Sequence, residues 1–80
     1  MNDQQIRSHI EDLVAEEHRL REHGDDGKLT PEDQERLKTI EVQLDQYWDL
    51  LRQRRARRDA GQDPNVAHIR SENVVERYRQ

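Results

Sequence analysis

The chain has 80 residues, of which 30% are apolar and 40% charged, with a net charge of −4 and no cysteine. This length sets an upper limit of one small domain, and the lack of cysteine excludes disulfides and thiolate metal sites. A domain this small buries little apolar surface and is marginally stable by itself. Self-association is the remaining way for such a domain to gain stability, so we expect a homodimer.

The charges are distributed unevenly along the chain. Residues 1–51 sum to −8 and residues 52–80 to +4. A chain polarised in this way can attract itself, within a hairpin or between two copies. The opening MNDQQIRSHI lacks the apolar core of a signal peptide, and no apolar run approaches membrane-spanning length. We therefore predict a cytoplasmic protein without membrane contact.

The first helix is predicted over about residues 3–23. Asn2 or Asp3 can cap its start, and Gly24 opens a GDDGK turn after its end. Its apolar residues recur at intervals of four, three and seven, which is typical of a helical seam, and are Ile6, Ile10, Leu13 and Leu20. Glu17 occupies a seam position. We interpret it as a polar residue that sets the helix register or pairs with an arginine, the alternative being a buried functional carboxylate.

The second helix is predicted over about residues 31–60. Thr30 is a typical N-cap, Pro31 suits the first helical position, and Gly61 is the first helix breaker downstream. Its seam steps by three, four, three and four through Leu37, Ile40, Leu44, Tyr47 and Leu51. Trp48 and Leu50 flank this seam, so the apolar face widens from residue 44 onward.

These patterns predict an all-α fold. Residues 1–61 form an antiparallel two-helix hairpin with a coiled-coil-like seam, because a short polar loop folds two helices back on each other. Residues 62–80 form a tail with a short helix over about residues 71–79. Two hairpins are expected to dimerise into a four-helix bundle whose centre includes Trp48 and Leu51.

Residues 44–58 are the strongest candidate for an interaction surface, because an apolar band runs directly into a group of cations. The apolar interface candidates are Leu44, Tyr47, Trp48, Leu50 and Leu51. The candidates for contact with a polyanion or an acidic partner are Arg52, Arg54, Arg55, Arg57 and Arg58. We predict a non-enzymatic module for self-association and for binding an acidic protein. The alternative is a nucleic-acid-associated protein that uses the arginines on phosphates.

No pattern in the sequence indicates catalysis, a cofactor or a metal. The four histidines, at positions 9, 18, 23 and 68, lack the helical spacing to a second ligand that a metal site requires. GDDGK lacks the ligand ladder of a calcium loop, and neither a nucleophile motif nor a glycine-rich phosphate loop is present. We predict no enzyme activity.

Four segments of the chain carry a family likeness. The runs EEHRLRE (residues 16–22), LTPEDQERL (29–37), VQLDQYWDLLRQRRARRDAG (42–61) and the closing DP…R…VVERY resemble a family of short actinobacterial proteins. That family is catalogued only as a domain of unknown function. The LDQ-x-WDLLRQRRA segment is its most distinctive part. The resemblance implies a small helical domain and assigns no mechanism.

Overall fold

The computed structural model describes residues 1–24 and 29–78, with only the backbone described for residues 76–78. Helix α1 runs over Asp3–Gly24, α2 over Pro31–Asp59 and α3 over Glu72–Tyr78, with a 3-10 turn at Pro64–Val66 between α2 and α3. The described residues contain no strand, so the predicted all-α class is confirmed. The turn predicted after Gly24 and the last predicted helical position, residue 79, lie outside the described residues.

Both long helices begin at reciprocal caps. The Asn2 side chain accepts a hydrogen bond from the Gln5 backbone N–H at 2.8 Å, and the Gln5 side chain accepts from the Asn2 N–H at 2.9 Å. Thr30 and Asp33 exchange the same pair of bonds at the start of α2, where Pro31 follows the cap. These bonds satisfy backbone donors that a helix start would otherwise leave unpaired.

Helix α2 ends at Asp59, and Gly61 follows its C-cap residue, Ala60. Gly61 has a φ of +72°, a left-handed conformation that costs glycine little. The Gln62 N–H then bonds to the Arg57 carbonyl at 2.7 Å and the Gly61 N–H bonds to the Arg58 carbonyl at 3.1 Å. This pair of bonds forms a Schellman motif, which satisfies the last carbonyls of α2 and turns the chain back along it.

The core lies where α1 meets the second half of α2. Ile6, Ile10 and Leu50 form its buried centre, and Leu44, Tyr47, Leu51 and Ala67 pack against them. Leu37 and Ile40 are buried nearer the interhelical loop. The two helices are about 33 Å and 44 Å long at 1.5 Å per residue, so α2 extends past the start of α1. Each aliphatic side chain buried in this way contributes about 1.5–3 kcal/mol.

Residues 64–75, termed here the C-terminal segment, pack against a second side of α2. Val75 of α3 is buried. Gln53 Nε2 donates to the His68 carbonyl at 2.8 Å, and Gln46 Nε2 donates to the Arg70 carbonyl at 3.2 Å. The second half of α2 is therefore covered by α1 on one side and by this segment on another.

Intramolecular packing corrects one part of the predicted interface. Leu50 is 4% exposed and belongs to the core, because α1 and the C-terminal segment enclose it within one chain. It is not available to a second molecule. Among the helices of the described residues, none combines the length and apolar content that a membrane crossing requires.

Candidate interaction surface around Trp48

The third side of α2 is open and carries the single tryptophan. Trp48 is 46% exposed, although it is followed in the sequence by the buried Asp49 and Leu50. Its position follows from helix geometry, since the neighbours Asp49 and Leu50 project 100° and 200° away from it around the axis. Leu51, which returns to the same side of the helix, is half-buried beside it.

A groove of about 260 Å³ surrounds this tryptophan. We call it the Trp48 groove. Residues from the start of α1 and the second half of α2 line it: Asp3, Arg7, Trp48, Leu51, Arg52, Arg55 and Arg58. An indole and an aliphatic side chain thus lie among four guanidinium groups and one carboxylate. This combination suits a ligand that is both apolar and anionic.

The five arginines predicted as one basic cluster do not act together. Arg54 is 6% exposed and lies inside the fold. Its Nε donates to Asp3 Oδ1 at 2.5 Å, and its Nη1 donates to the Pro64 carbonyl at 3.1 Å and to Asn65 Oδ1 at 3.2 Å. The assignment of Arg54 to a polyanion surface is therefore wrong, because these three acceptors occupy its guanidinium.

Asp3 occupies one end of the Trp48 groove and neutralises part of its charge. Arg58 Nη2 lies 2.8 Å from Asp3 Oδ2, while Arg54 holds the other carboxylate oxygen. A hydrogen bond from Arg58, and to a smaller extent one from Arg54, lowers the pKa of the Asp3 carboxyl from its ordinary value of 3.8. The carboxylate is thus fully ionised at neutral pH and ties the start of α1 to the end of α2.

The remaining arginines differ in their availability. The Arg52 side chain is 61% exposed, and its nearest carboxylate, Asp49 Oδ1, is 4.0 Å away. Arg55 and Arg7 are exposed, and neither forms an ion pair with a described residue. Arg57 is half-buried and does not line the groove. Of the groove arginines, Arg7 and Arg55 thus have no ion pair with a described residue and Arg52 has only a distant one, whereas Arg58 is paired with Asp3.

Of the apolar candidates, Trp48 and Leu51 line the groove, while Leu44 and Tyr47 serve mainly the core. Both Leu44 and Tyr47 are half-buried against Ile6, Ile10 and Leu50. The Tyr47 ring also stacks on His9, with ring centroids 5.4 Å apart and planes within 3° of parallel.

Sequence reasoning missed the buried carboxylate of Asp49, which is 2% exposed. Arg70 Nε lies 3.1 Å from Asp49 Oδ2, and Gln53 Nε2 donates to the same oxygen at 2.9 Å. This arrangement attaches the C-terminal segment to the side of α2 that the Trp48 groove does not use. In the second half of α2, the segment thereby leaves the side of Trp48 open.

Arg7 was missed as well. In the sequence it is one isolated arginine of α1, next to the buried Ile6. The antiparallel hairpin brings the start of α1 to the arginine-rich end of α2, and this places Arg7 in the groove. Its proximity to the seam residue Ile6, combined with the hairpin register, is the signal that could have identified it.

Glu17, interpreted as a register or pairing residue, contacts Arg21 of its own helix at 3.8 Å. Arg21 in turn reaches Glu41 across the hairpin at 3.0 Å. No group of three or more histidine, aspartate or glutamate residues in the described part of the chain is placed to hold a metal ion.

Comparison with known proteins places the chain in a family. The family described as "Protein of unknown function (DUF2630)" matches residues 2–80, and the chain belongs to it. Uncharacterized proteins of Mycobacterium bovis and Mycobacterium tuberculosis are each 51% identical over 79 residues, covering 95% of this chain and 88% of the relative. No solved structure matches. The resemblance to a short actinobacterial family of unknown function is thus confirmed.

Proposed function

Because the chain belongs to a family without an assigned activity, we propose its function from the Trp48 groove. The protein is a non-enzymatic interaction module, and the groove binds an acidic protein that also offers an apolar side chain. The observation that carries this proposal is a tryptophan 46% exposed beside Arg7 and Arg55, which form no ion pair with a described residue.

The chemistry of the groove favours binding over catalysis. Guanidinium groups keep their charge at any physiological pH, so they bind carboxylates and do not exchange protons with a substrate. Asp3, the one carboxylate in the groove, is held by two arginines. Tryptophan and arginine are the residues most enriched at the energetic centres of protein interfaces, because they combine a large contact area with directed polar groups.

A nucleic-acid-associated function is the second candidate. An exposed tryptophan next to arginines can stack on a base while the cations hold phosphates, as in single-strand binding proteins. Two features of the chain oppose this. Its net charge is −4, and the removal of Arg54 from the surface leaves fewer cations for phosphates. Binding of a nucleic acid depends on contacts to many phosphates, whereas a short acidic protein segment needs only a few carboxylate contacts, which Arg7, Arg52 and Arg55 can supply.

Trp48 supplies the test, because it is the only tryptophan and its fluorescence reports directly on the groove. We would titrate the protein with a peptide of glutamate and leucine, with the same peptide carrying lysine for glutamate, and with single-stranded oligothymidylate. The proposal predicts a blue shift with the glutamate peptide and no change with the lysine peptide. A response to oligothymidylate alone, lost at high salt, would favour the nucleic-acid function instead.

Matched variants localise the response. Joint replacement of Arg52 and Arg55 by alanine should weaken binding of the glutamate peptide about tenfold, because two rim cations are lost. Arg19→Ala removes an exposed arginine of α1 that does not line the groove, and it should leave the affinity unchanged. An equal loss in both variants would show that net charge, rather than the groove, attracts the peptide, and it would overturn the proposal.

A further inference from the structure

We infer that the acidic partner of the Trp48 groove is a second copy of this chain, docked antiparallel along α2 with the two-fold axis at Trp48. This inference rests on the proposed function, since it names the protein that the groove takes. It also gives the dimer an orientation and a register.

The inference begins from a second helical stripe on α2. Five residues on the open side of the helix recur at intervals of four, three, four and three, and they are Glu41, Asp45, Trp48, Arg52 and Arg55. This spacing averages 3.5 residues, the period of a helix–helix seam. It is distinct from the stripe that faces α1. Four of the five residues are exposed, and Asp45 is half-buried.

The order of charges on this stripe is self-complementary. Two acids precede Trp48 and two arginines follow it. Glu41 and Arg55 are each seven residues from Trp48, and seven residues are nearly two turns of helix. A two-fold axis at Trp48 therefore sets Glu41 of each copy opposite Arg55 of the other and brings the two indoles together. Asp45 and Arg52, three and four residues from the axis, are brought close in the same way.

The opposite orientation is disfavoured by the same charges. In a parallel pair with Trp48 in register, each arginine would face an arginine and each acid an acid. Like charges placed opposite each other across an interface disfavour association. The antiparallel pair is also isologous, so it closes as a dimer and leaves no free docking surface of the same kind.

Three charged residues of the stripe, Glu41, Arg52 and Arg55, are exposed and accessible for these contacts. Arg55 has no ion pair with any described residue, and Arg52 approaches Asp49 only to 4.0 Å. Glu41 accepts one bond from Arg21, but both side chains of that pair are 56% exposed, so the carboxylate remains accessible. Asp45 already interacts within the chain, and Glu41 therefore carries the main acidic contact.

The size of the stripe sets the expected strength of the dimer. Residues 41 to 55 span about 21 Å of helix. A strip of that length, flanked by Arg7 from α1, buries less than the roughly 800 Å² per partner of a standard interface. We therefore expect a reversible dimer that dissociates on dilution and weakens with salt.

Charge exchange between two variants tests the orientation. Arg55→Glu and Glu41→Arg each place like charges at both ends of the antiparallel stripe. By sedimentation equilibrium at low salt, each variant alone should have a dimer dissociation constant raised about 100-fold or more, because two repulsive contacts replace two attractive ones. In an equimolar mixture the new glutamate faces the new arginine, while native Glu41 faces native Arg55. The mixture should therefore recover the dimer.

Controls keep the outcomes distinct. Arg19→Glu makes the same charge change away from the stripe and should dimerise like the wild type, and circular dichroism at low concentration should show unchanged helicity in all variants. A dimeric wild type whose variant mixture stays monomeric would overturn the antiparallel register. A wild type that is monomeric at every concentration would overturn the second copy as partner. If the glutamate–leucine peptide still shifts Trp48 emission in that case, the proposed function stands; if it does not, both fail.

Discussion

Arg54 and Arg55 are neighbours in the sequence and lie in opposite environments. Arg54 is 6% exposed and holds Asp3, the Pro64 carbonyl and Asn65 together. Arg55 projects about 100° further around the same helical turn, into the Trp48 groove, without an ion pair to a described residue. One side of the arginine-rich end of α2 therefore joins three parts of the chain, and the other is available to a partner.

The difference between Arg54 and Arg55 shows that a run of like charges on a helix does not form one surface. Successive residues are rotated by 100°, so five arginines in seven positions point in several directions. The cations that meet acceptors from α1 and the C-terminal segment become structural. Only those that meet solvent can act on a second molecule.

The largest expected difference between these two arginines is in stability, and replacement of Arg54 would measure it. Arg54→Ala leaves Asn65 Oδ1 without its donor, removes one of the two donors to the Pro64 carbonyl and removes one of the two cations on Asp3. We therefore expect the free energy of unfolding to fall by about 3 kcal/mol. Arg55→Ala should change it by less than about 0.5 kcal/mol, because that side chain is exposed. Urea denaturation at low protein concentration measures both. Equal effects would contradict the division of the helix into two sides.

A smaller effect is expected from the buried carboxylate that attaches the C-terminal segment. Asp49→Ala removes one of the two acceptors of Gln53 Nε2 and the ion-pair partner of Arg70, and it should lower the free energy of unfolding by about 2 kcal/mol. Arg70 is partly solvent-exposed, which limits the loss. Because the segment is held here, hydrogen exchange at the amides of Val74 and Val75, which bond to the Ser71 carbonyl, should accelerate.

Asp12→Ala is the matched control for this variant, since Asp12 is an exposed aspartate of α1. It should leave both the stability and the exchange at α3 unchanged. If Asp49→Ala destabilises the protein without faster exchange at Val74 and Val75, the carboxylate would be shown to stabilise α2 rather than to hold the segment.

The helices could be predicted from sequence because their signals are local. Thr30, Pro31 and Gly61 mark helix ends through their own backbone chemistry, and the observed α2, Pro31–Asp59, is within one residue of the predicted range. The apolar seam likewise identified most of the core, since its period states which side of each helix turns inward.

The environments of the charged residues could not be predicted in this way. Arg54 is buried because acceptors 51 and 10 residues away in sequence converge on it. Asp49 is buried because the C-terminal segment returns along α2, and nothing local to Asp49 signals that return. Contacts between distant parts of the chain decide which charged residues are buried, and no periodic pattern in a single sequence indicates those contacts. The Trp48 groove was foreseen in its α2 residues and missed in Asp3 and Arg7 for the same reason.

The smallest of these expected effects is a pH dependence of stability, which tests the contact of Asp3 with Arg54 and Arg58 of α2. Arg58 and Arg54 lower the pKa of its carboxyl in the folded state below the ordinary value of 3.8. A carboxyl with a lowered folded-state pKa stabilises the protein above its unfolded-state value, and this contribution is lost as the pH falls through the folded-state value. Stability should therefore decrease as the pH falls below about 4. Asp3→Asn should flatten this decrease, which thermal unfolding between neutral and acidic pH would measure.

Glu16 provides the comparison that makes the Asp3 result specific. Its carboxyl pKa is also lowered, by hydrogen bonds from Arg36, but that pair lies in the second half of α1, with the Arg36 and Glu16 side chains 42% and 31% exposed. Because water screens an exposed pair, Glu16→Gln should flatten the acid-side decrease less than Asp3→Asn does. If Glu16→Gln has the larger effect, the Arg54–Asp3–Arg58 contact is not the stronger electrostatic link of the hairpin. The side of α2 that carries Arg54 would then stabilise the fold through packing rather than through charge.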